Sequence, residues 1–168
     1  MKIVIKVGLI IALCFYLLVL SKFILFKHMT IPDIIAHFTF SSDDSQLWNS
    51  HNFIPFQTIT YYVFLANDIN LNIRVENLTG NIIGFVPFGF IIPLLSSQFL
   101  SFKKVTLATC CLSLTFELLQ LIFGFGSFDV DDLILNTLGG MIGYIPVKLI
   151  GMYINHRQGQ QMSNGFNR

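Results

Sequence analysis

Apolar and polar positions divide this chain into four long hydrophobic runs, Val7 to Phe26, Ile82 to Leu100, Val105 to Phe123 and Leu133 to Ile154. A hydrocarbon core roughly 30 Å thick takes about 20 helical residues to cross, and each run is long enough. None shows the strict alternation of a barrel strand, and backbone polar groups in lipid must be satisfied within the segment, so the runs predict helices. The connection from Lys27 to Gly80 is long and should hold structure of its own. Within it Ile54 to Ala66, IPFQTITYYVFLA, is apolar but too short to span. It predicts a re-entrant or interfacial helix with Tyr61 and Tyr62 at headgroup depth, capping the outer ends of the spans. The expected fold is an all-α integral membrane protein of about four transmembrane helices, with a long external loop holding that short helix. Residues 1–27 read as an N-terminal transmembrane anchor, 28–155 as the membrane domain and 156–168 as a cytoplasmic tail. From Gln158 the tail is polar and is expected to be disordered.

Composition agrees with the pattern. At 54% hydrophobic, 11% charged and a mean hydropathy of +0.69, the chain is too apolar for a soluble domain of 168 residues. No nucleic-acid partner is expected. Cys14, Cys110 and Cys111 all sit in apolar runs, two of them adjacent, so no disulfide framework is implied. Lys2 and Lys6 ahead of an apolar core resemble a signal peptide. The cleavage context near Ser21 is poor, so the first span is expected to remain as an anchor, with removal there as the alternative.

A net charge of +1 conceals a strong asymmetry. Cytoplasmic loops carry excess Lys and Arg close to the span ends. An N-terminus inside puts Lys2, Lys6, Lys103, Lys104, Arg157 and Arg168 in the cytoplasm and leaves Lys27 and Arg74 outside. The same orientation sends Asp33, Asp43, Asp44, Asp68, Glu76, Asp129, Asp131 and Asp132 outside, and it places both termini in the cytoplasm.

The remaining acid, Glu117, lies inside the uncharged run Val105 to Gly126. An ionised side chain at the bilayer centre costs about 2.5 to 3.5 kcal/mol on insertion scales, so it requires a partner, a wet cavity or a proton. Glu117 and Gln120 share a helix face, as do Asp132, Asn136, Gly139 and Gly143 on the next helix. The glycines permit close approach of a neighbouring backbone. A tight hairpin of the third and fourth helices would bring Glu117, Gln120, Asp132 and Asn136 together. A packing account competes: Glu117 and Gln120 could fix helix contacts, and Asp129 and Asp132 suit a helix N-terminus. Asp131, about 100° around the helix from its neighbours, is expected to be solvated. Asn81 is placed at the start of the second helix, ahead of Pro87 and Pro93. Carboxylate and amide oxygens suit Ca²⁺ or Mg²⁺, but the spacing matches no calcium loop and no histidine is near, so neither metal nor cofactor is assigned. His37 and His51 in the loop read as solvated or interfacial.

The ordered set Asn52-Phe53-Ile54-Pro55-Phe56, Gly80-Asn81-Ile82-Ile83-Gly84-Phe85-Val86-Pro87-Phe88-Gly89, Phe116-Glu117-Leu118-Leu119-Gln120 and Phe128 to Gly140 resembles the VanZ family. Many members carry an arginine before the acidic stretch, where Gly126 and Ser127 stand here, which puts a closed ion-pair account of Glu117 in doubt. The resemblance implies a bacterial cytoplasmic-membrane protein associated with low-level resistance to lipid-tailed glycopeptides such as teicoplanin, and it supplies no known reaction.

Two functional expectations follow. In the first, a non-enzymatic protein uses an outer-leaflet pocket to bind or exclude an amphiphile, either a lipoglycopeptide antibiotic or a lipid-linked cell-wall precursor. Glu117 and Gln120 would bind its polar head, Asp132 and Asn136 would orient it, and Tyr61 to Phe64 would cover its apolar part, with Asp129, Asn81 and Asn52 completing the binding set. The alternative is a membrane enzyme acting on a lipid-linked substrate, with Glu117 as general acid or base. A purely structural or assembly role is the third reading.

Overall fold

The computed structural model describes residues 2–26, 51–65, 69–124 and 126–166, with side chains as far as Gln161. The expectations for Lys27, Asp33, His37, Asp43, Asp44, Asp68 and Arg168 fall outside these residues. Helix α1 spans Lys2–Leu25, and α2 is the short Gln57–Thr60 helix, continued by a π-helical turn at Tyr61–Leu65. Helix α3 is Leu71–Leu95, followed by a 3-10 turn at Ser97–Phe99; α4 is Phe102–Phe123 and α5 is Val130–Phe166. Helices α1, α3, α4 and α5 are each long and apolar enough to cross a membrane. The chain is an all-α, multi-pass membrane protein with a short helix in its first connection, as the hydrophobic pattern predicts.

Three boundaries differ from the expectation. Helix α3 begins at Leu71, not near Ile82, because Asn70 caps it by accepting the Asn72 N–H at 3.0 Å. The polar residues that follow are carried on helix above the apolar run, so Asn81 lies inside α3 and does not start it. At its other end α3 stops at Leu95, where extended Ser96 turns the chain into the 3-10 turn. Helix α5 continues to Phe166, where a disordered tail was expected from Gln158. Extending an existing helix adds a hydrogen bond per residue without a new nucleus, and Gln158, Gln160, Gln161 and Met162 are good helix formers.

Helices α3 and α5 make the most extensive pairing in the bundle. A Cβ built on Gly139 would collide with the Ile82 carbonyl, and one on Gly143 with the Val86 carbonyl. Both partners step by one turn in the same direction, so α3 and α5 run parallel. A Cβ on Gly89 would strike the Gly140 carbonyl. Close backbone approach of this kind maximises van der Waals contact where lipid offers no hydrophobic drive to associate.

Helix α4 meets α5 in the opposite sense. Gly140 packs on Thr109, and Asn136 bonds Ser113. The α4 position rises by four as the α5 position falls by four, so the pair is an antiparallel hairpin. It is closed by Gly124, whose left-handed backbone (φ 63°) ends α4 with its N–H on the Gln120 carbonyl. Helix α1 docks against α3 and α4 through Leu20, which clusters with Phe85 and Phe116. Tyr16 adds a hydroxyl bond to the Gly84 carbonyl at 2.7 Å. Most other α1 side chains face outward, as lipid contact requires. At the far end, Tyr144 of α5 donates its hydroxyl to the Leu100 carbonyl at 2.5 Å.

Candidate functional site

The starts of α3 and α5, the end of α4 and the α2 segment meet at one end of the bundle. Asp129 is the N-cap of α5, its Oδ1 accepting the Asp131 N–H at 2.8 Å. Its own backbone N–H donates to Glu117 Oε2 at 2.9 Å. Glu117 is only 1% exposed. The hairpin turn thus delivers a backbone donor to the carboxylate from the first residues of the next helix.

Asn52 ties the preceding connection to this turn. Its N–H donates to the Phe128 carbonyl at 2.8 Å, and its carbonyl accepts the Val130 N–H at 3.1 Å. The side-chain Nδ2 donates to Asp129 Oδ1 at 2.9 Å and to Thr58 Oγ1 at 3.0 Å, while Oδ1 accepts the Ile54 N–H at 2.9 Å. Every polar group of Asn52 is engaged. His51 accepts the Phe128 N–H on Nδ1 at 2.9 Å, and the Phe53 and Phe128 rings stack at 5.1 Å.

Asp131 overturns the expectation that it is solvated: it is 0% exposed. Its Oδ1 accepts the Phe56 N–H at 2.5 Å and its Oδ2 the Ile59 N–H at 3.0 Å. Phe56 precedes α2 in the left-handed region (φ 67°) and has no side-chain cap of its own. A non-glycine residue held there is strained by about 1 to 2 kcal/mol, and a carboxylate on the free N–H groups of a helix start offsets it. Asp131 is therefore the remote cap of α2. On the far side, Arg74 of α3 holds the Tyr62 and Val63 carbonyls, the second at 2.8 Å. Burial, with Asp132 and Asp129 nearby, raises the Tyr62 phenol above its ordinary range.

The other expected residues divide between helices. Asp132 accepts from the Asn81 side chain, joining α5 to α3. Asn136, 2% exposed, donates from Nδ2 to Ser113 Oγ at 2.9 Å, joining α5 to α4. Gln120 does not join them: its Nε2 donates to the Ile24 carbonyl of α1 at 3.0 Å. The expected hairpin exists, but its glycines face mainly α3, and Gln120 points away from Asp132 and Asn136. The sequence reading missed Ser113 and Asp131. Thr109, Ser113 and Glu117 recur every four residues on one buried face of α4, a polar stripe that was visible in the sequence.

Six of these hydrogen bonds hold the segment from Phe53 to Leu65 on the bundle. That segment keeps Phe53, Ile54, Phe56, Phe64 and Leu65 exposed. No group of three or more His, Cys, Asp or Glu side chains suited to a metal occurs among the described residues.

No solved structure matches the chain. A curated relative, Protein VanZ of Enterococcus faecium, is 35% identical over 101 residues, covering 56% of this chain and 60% of that protein. The chain thus matches less than two thirds of that relative's length. The VanZ/LLP1 family profile matches residues 13–151, which contain the polar cluster, the glycine-lined helix pair and the hairpin, and the chain belongs to the VanZ/LLP1 family.

Proposed function

We infer that this chain is a bacterial cytoplasmic-membrane protein, N- and C-termini inside, that lowers susceptibility to lipid-tailed glycopeptides such as teicoplanin by acting at the outer leaflet. The orientation rests on charge. In the bundle, Lys6, Lys103, Lys104 and Arg157 gather at one end, while Asp129, Asp131 and Asp132 gather at the other. The activity rests on family membership and on one structural observation. Buried acids and amides fix an exposed aromatic segment, Phe53 to Leu65, in the same cluster as the embedded Glu117.

An amphiphilic antibiotic presents a polar head and an acyl tail at that depth. The segment offers apolar surface to the tail. Half-buried Asp132 at the adjoining helix mouth addresses the head, and Glu117 and Asn136, buried behind it, complete the polar site from within the bundle. The test is teicoplanin and vancomycin susceptibility of a sensitive host making wild type or Glu117→Gln, with membrane levels matched. The expected result is protection against teicoplanin that Glu117→Gln loses at equal protein level. Absence of protection by wild type overturns the reading.

A further inference from the structure

The hydrogen bonds at the acidic end leave a remainder one turn deeper, on the seam between α4 and α5. Asn136 Oδ1 is buried and has no hydrogen-bond partner among the described residues. Because Nδ2 of the same amide is fixed on Ser113, Oδ1 is held between the two helices. Thr137 Oγ1, at the next position, is likewise buried without a partner among these residues. Glu117 stands one turn along α4 from Ser113 and engages the Asp129 N–H through Oε2. A buried acceptor left without a donor costs about 1 to 3 kcal/mol, so it marks a place where something else supplies the contact.

Asn136 Oδ1 can only accept, whereas the Thr137 and Ser113 hydroxyls donate as well. An acceptor-only oxygen near the Glu117 carboxylate disfavours an anion and fits a hard cation. Asp129 and Asp131 are committed to capping and to backbone N–H groups, and Asp132 to Asn81, which leaves Glu117 as the carboxylate of this tier. One negative charge among neutral oxygens balances a monovalent ion. A divalent ion would carry uncompensated charge into a low-dielectric interior.

We propose that the α4–α5 seam binds a sodium-sized monovalent cation, with Glu117 supplying the charge and Asn136 and Ser113 the neutral oxygens. The ion compensates a carboxylate within the span and satisfies the amide oxygen facing it. It also links α4 to α5, so its binding stabilises the fold in proportion to occupancy. The site shares Glu117 and Asn136 with the proposed head contacts, but its occupancy is read without the drug.

The experiment uses purified full-length protein in detergent. Thermal unfolding is followed in sodium, lithium, potassium or methylammonium chloride against choline chloride at equal ionic strength, and radioactive sodium binding is measured on wild type. The expected result is a saturable rise in Tm with sodium that choline does not give. It is lost in Asn136→Ala and Glu117→Gln and kept in Gln120→Ala, whose side chain bonds α1. Saturable sodium binding by wild type supports the site even where a variant fails to fold. A larger rise with potassium or methylammonium overturns the sodium-sized assignment. If no salt differs from choline and no sodium binds, the proposal is wrong. Antibiotic susceptibility does not enter the measurement, so either reading can fail without the other.

Discussion

Asp131 accepts the backbone N–H of Phe56 at 2.5 Å across 75 positions of sequence, and the same carboxylate accepts the Ile59 N–H. A residue of a spanning helix thereby sets the start of a helix in a distant connection. Hydrogen bonds to charged groups are worth about 1.5 to 3 kcal/mol each, and an amide in place of the carboxylate can keep only part of that. Asp131→Asn should therefore speed hydrogen exchange of the Phe56 and Ile59 amides by roughly tenfold or more while leaving the α3–α5 amides protected. Unchanged exchange at both amides would show that the segment is held by other means.

The glycine contacts make a steric prediction. Gly139→Ala and Gly143→Ala each drive a methyl into a carbonyl of α3, and overpacking of this kind costs about 1 to 3 kcal/mol. Both should lower Tm by several degrees. Gly151→Ala meets nothing within 4 Å and removes a poor helix former, so its Tm should stay level or rise slightly. Equal behaviour of all three variants would contradict the close α3–α5 packing.

Helix α1 is held by little. Among the described residues its polar ties are Tyr16 to the Gly84 carbonyl and Gln120 to the Ile24 carbonyl, with Leu20 as its buried apolar anchor. Interhelical hydrogen bonds in membranes average about 0.6 kcal/mol. Tyr16→Phe or Gln120→Ala alone should shift Tm slightly. Leu20→Ala combined with both should free α1, seen as loss of cysteine cross-linking between α1 and α3. Retained cross-linking in the triple variant would mean that α1 is fixed by contacts other than these.

Orientation can be read with two exposed positions at opposite ends, Gln57 in α2 and Ser97 in the 3-10 turn. In a background with the three cysteines replaced, Gln57→Cys in intact cells should react with a membrane-impermeant thiol reagent. Ser97→Cys should react only after permeabilisation. The reverse pattern would invert the assigned topology.

Much of this fold was legible along the chain because a bilayer imposes simple rules. Helices must be long, apolar and internally hydrogen-bonded, and charge marks their ends. The four spans, the short helix in the connection and the need of Glu117 and Asn136 for polar contacts inside the bundle follow from local residue type and spacing. The close-packing face of Gly139 and Gly143 was also readable, since small residues four apart share one side of a helix.

Partnership was not legible. Three aspartates at a helix start look alike in sequence, yet Asp129 caps its own helix, Asp131 caps a distant one and Asp132 takes an amide from α3. Gln120 shares a face with Glu117 but reaches α1, because the hairpin rotates that edge of α4 toward the first span. The sequence by itself determined which segments cross the membrane and which polar groups could not be left unsatisfied there, since both depend on the transfer energies of individual residues. Only the tertiary structure decided which donor meets which acceptor, since that depends on helix register and rotation, and these are set by backbone contacts between residues far apart in the chain.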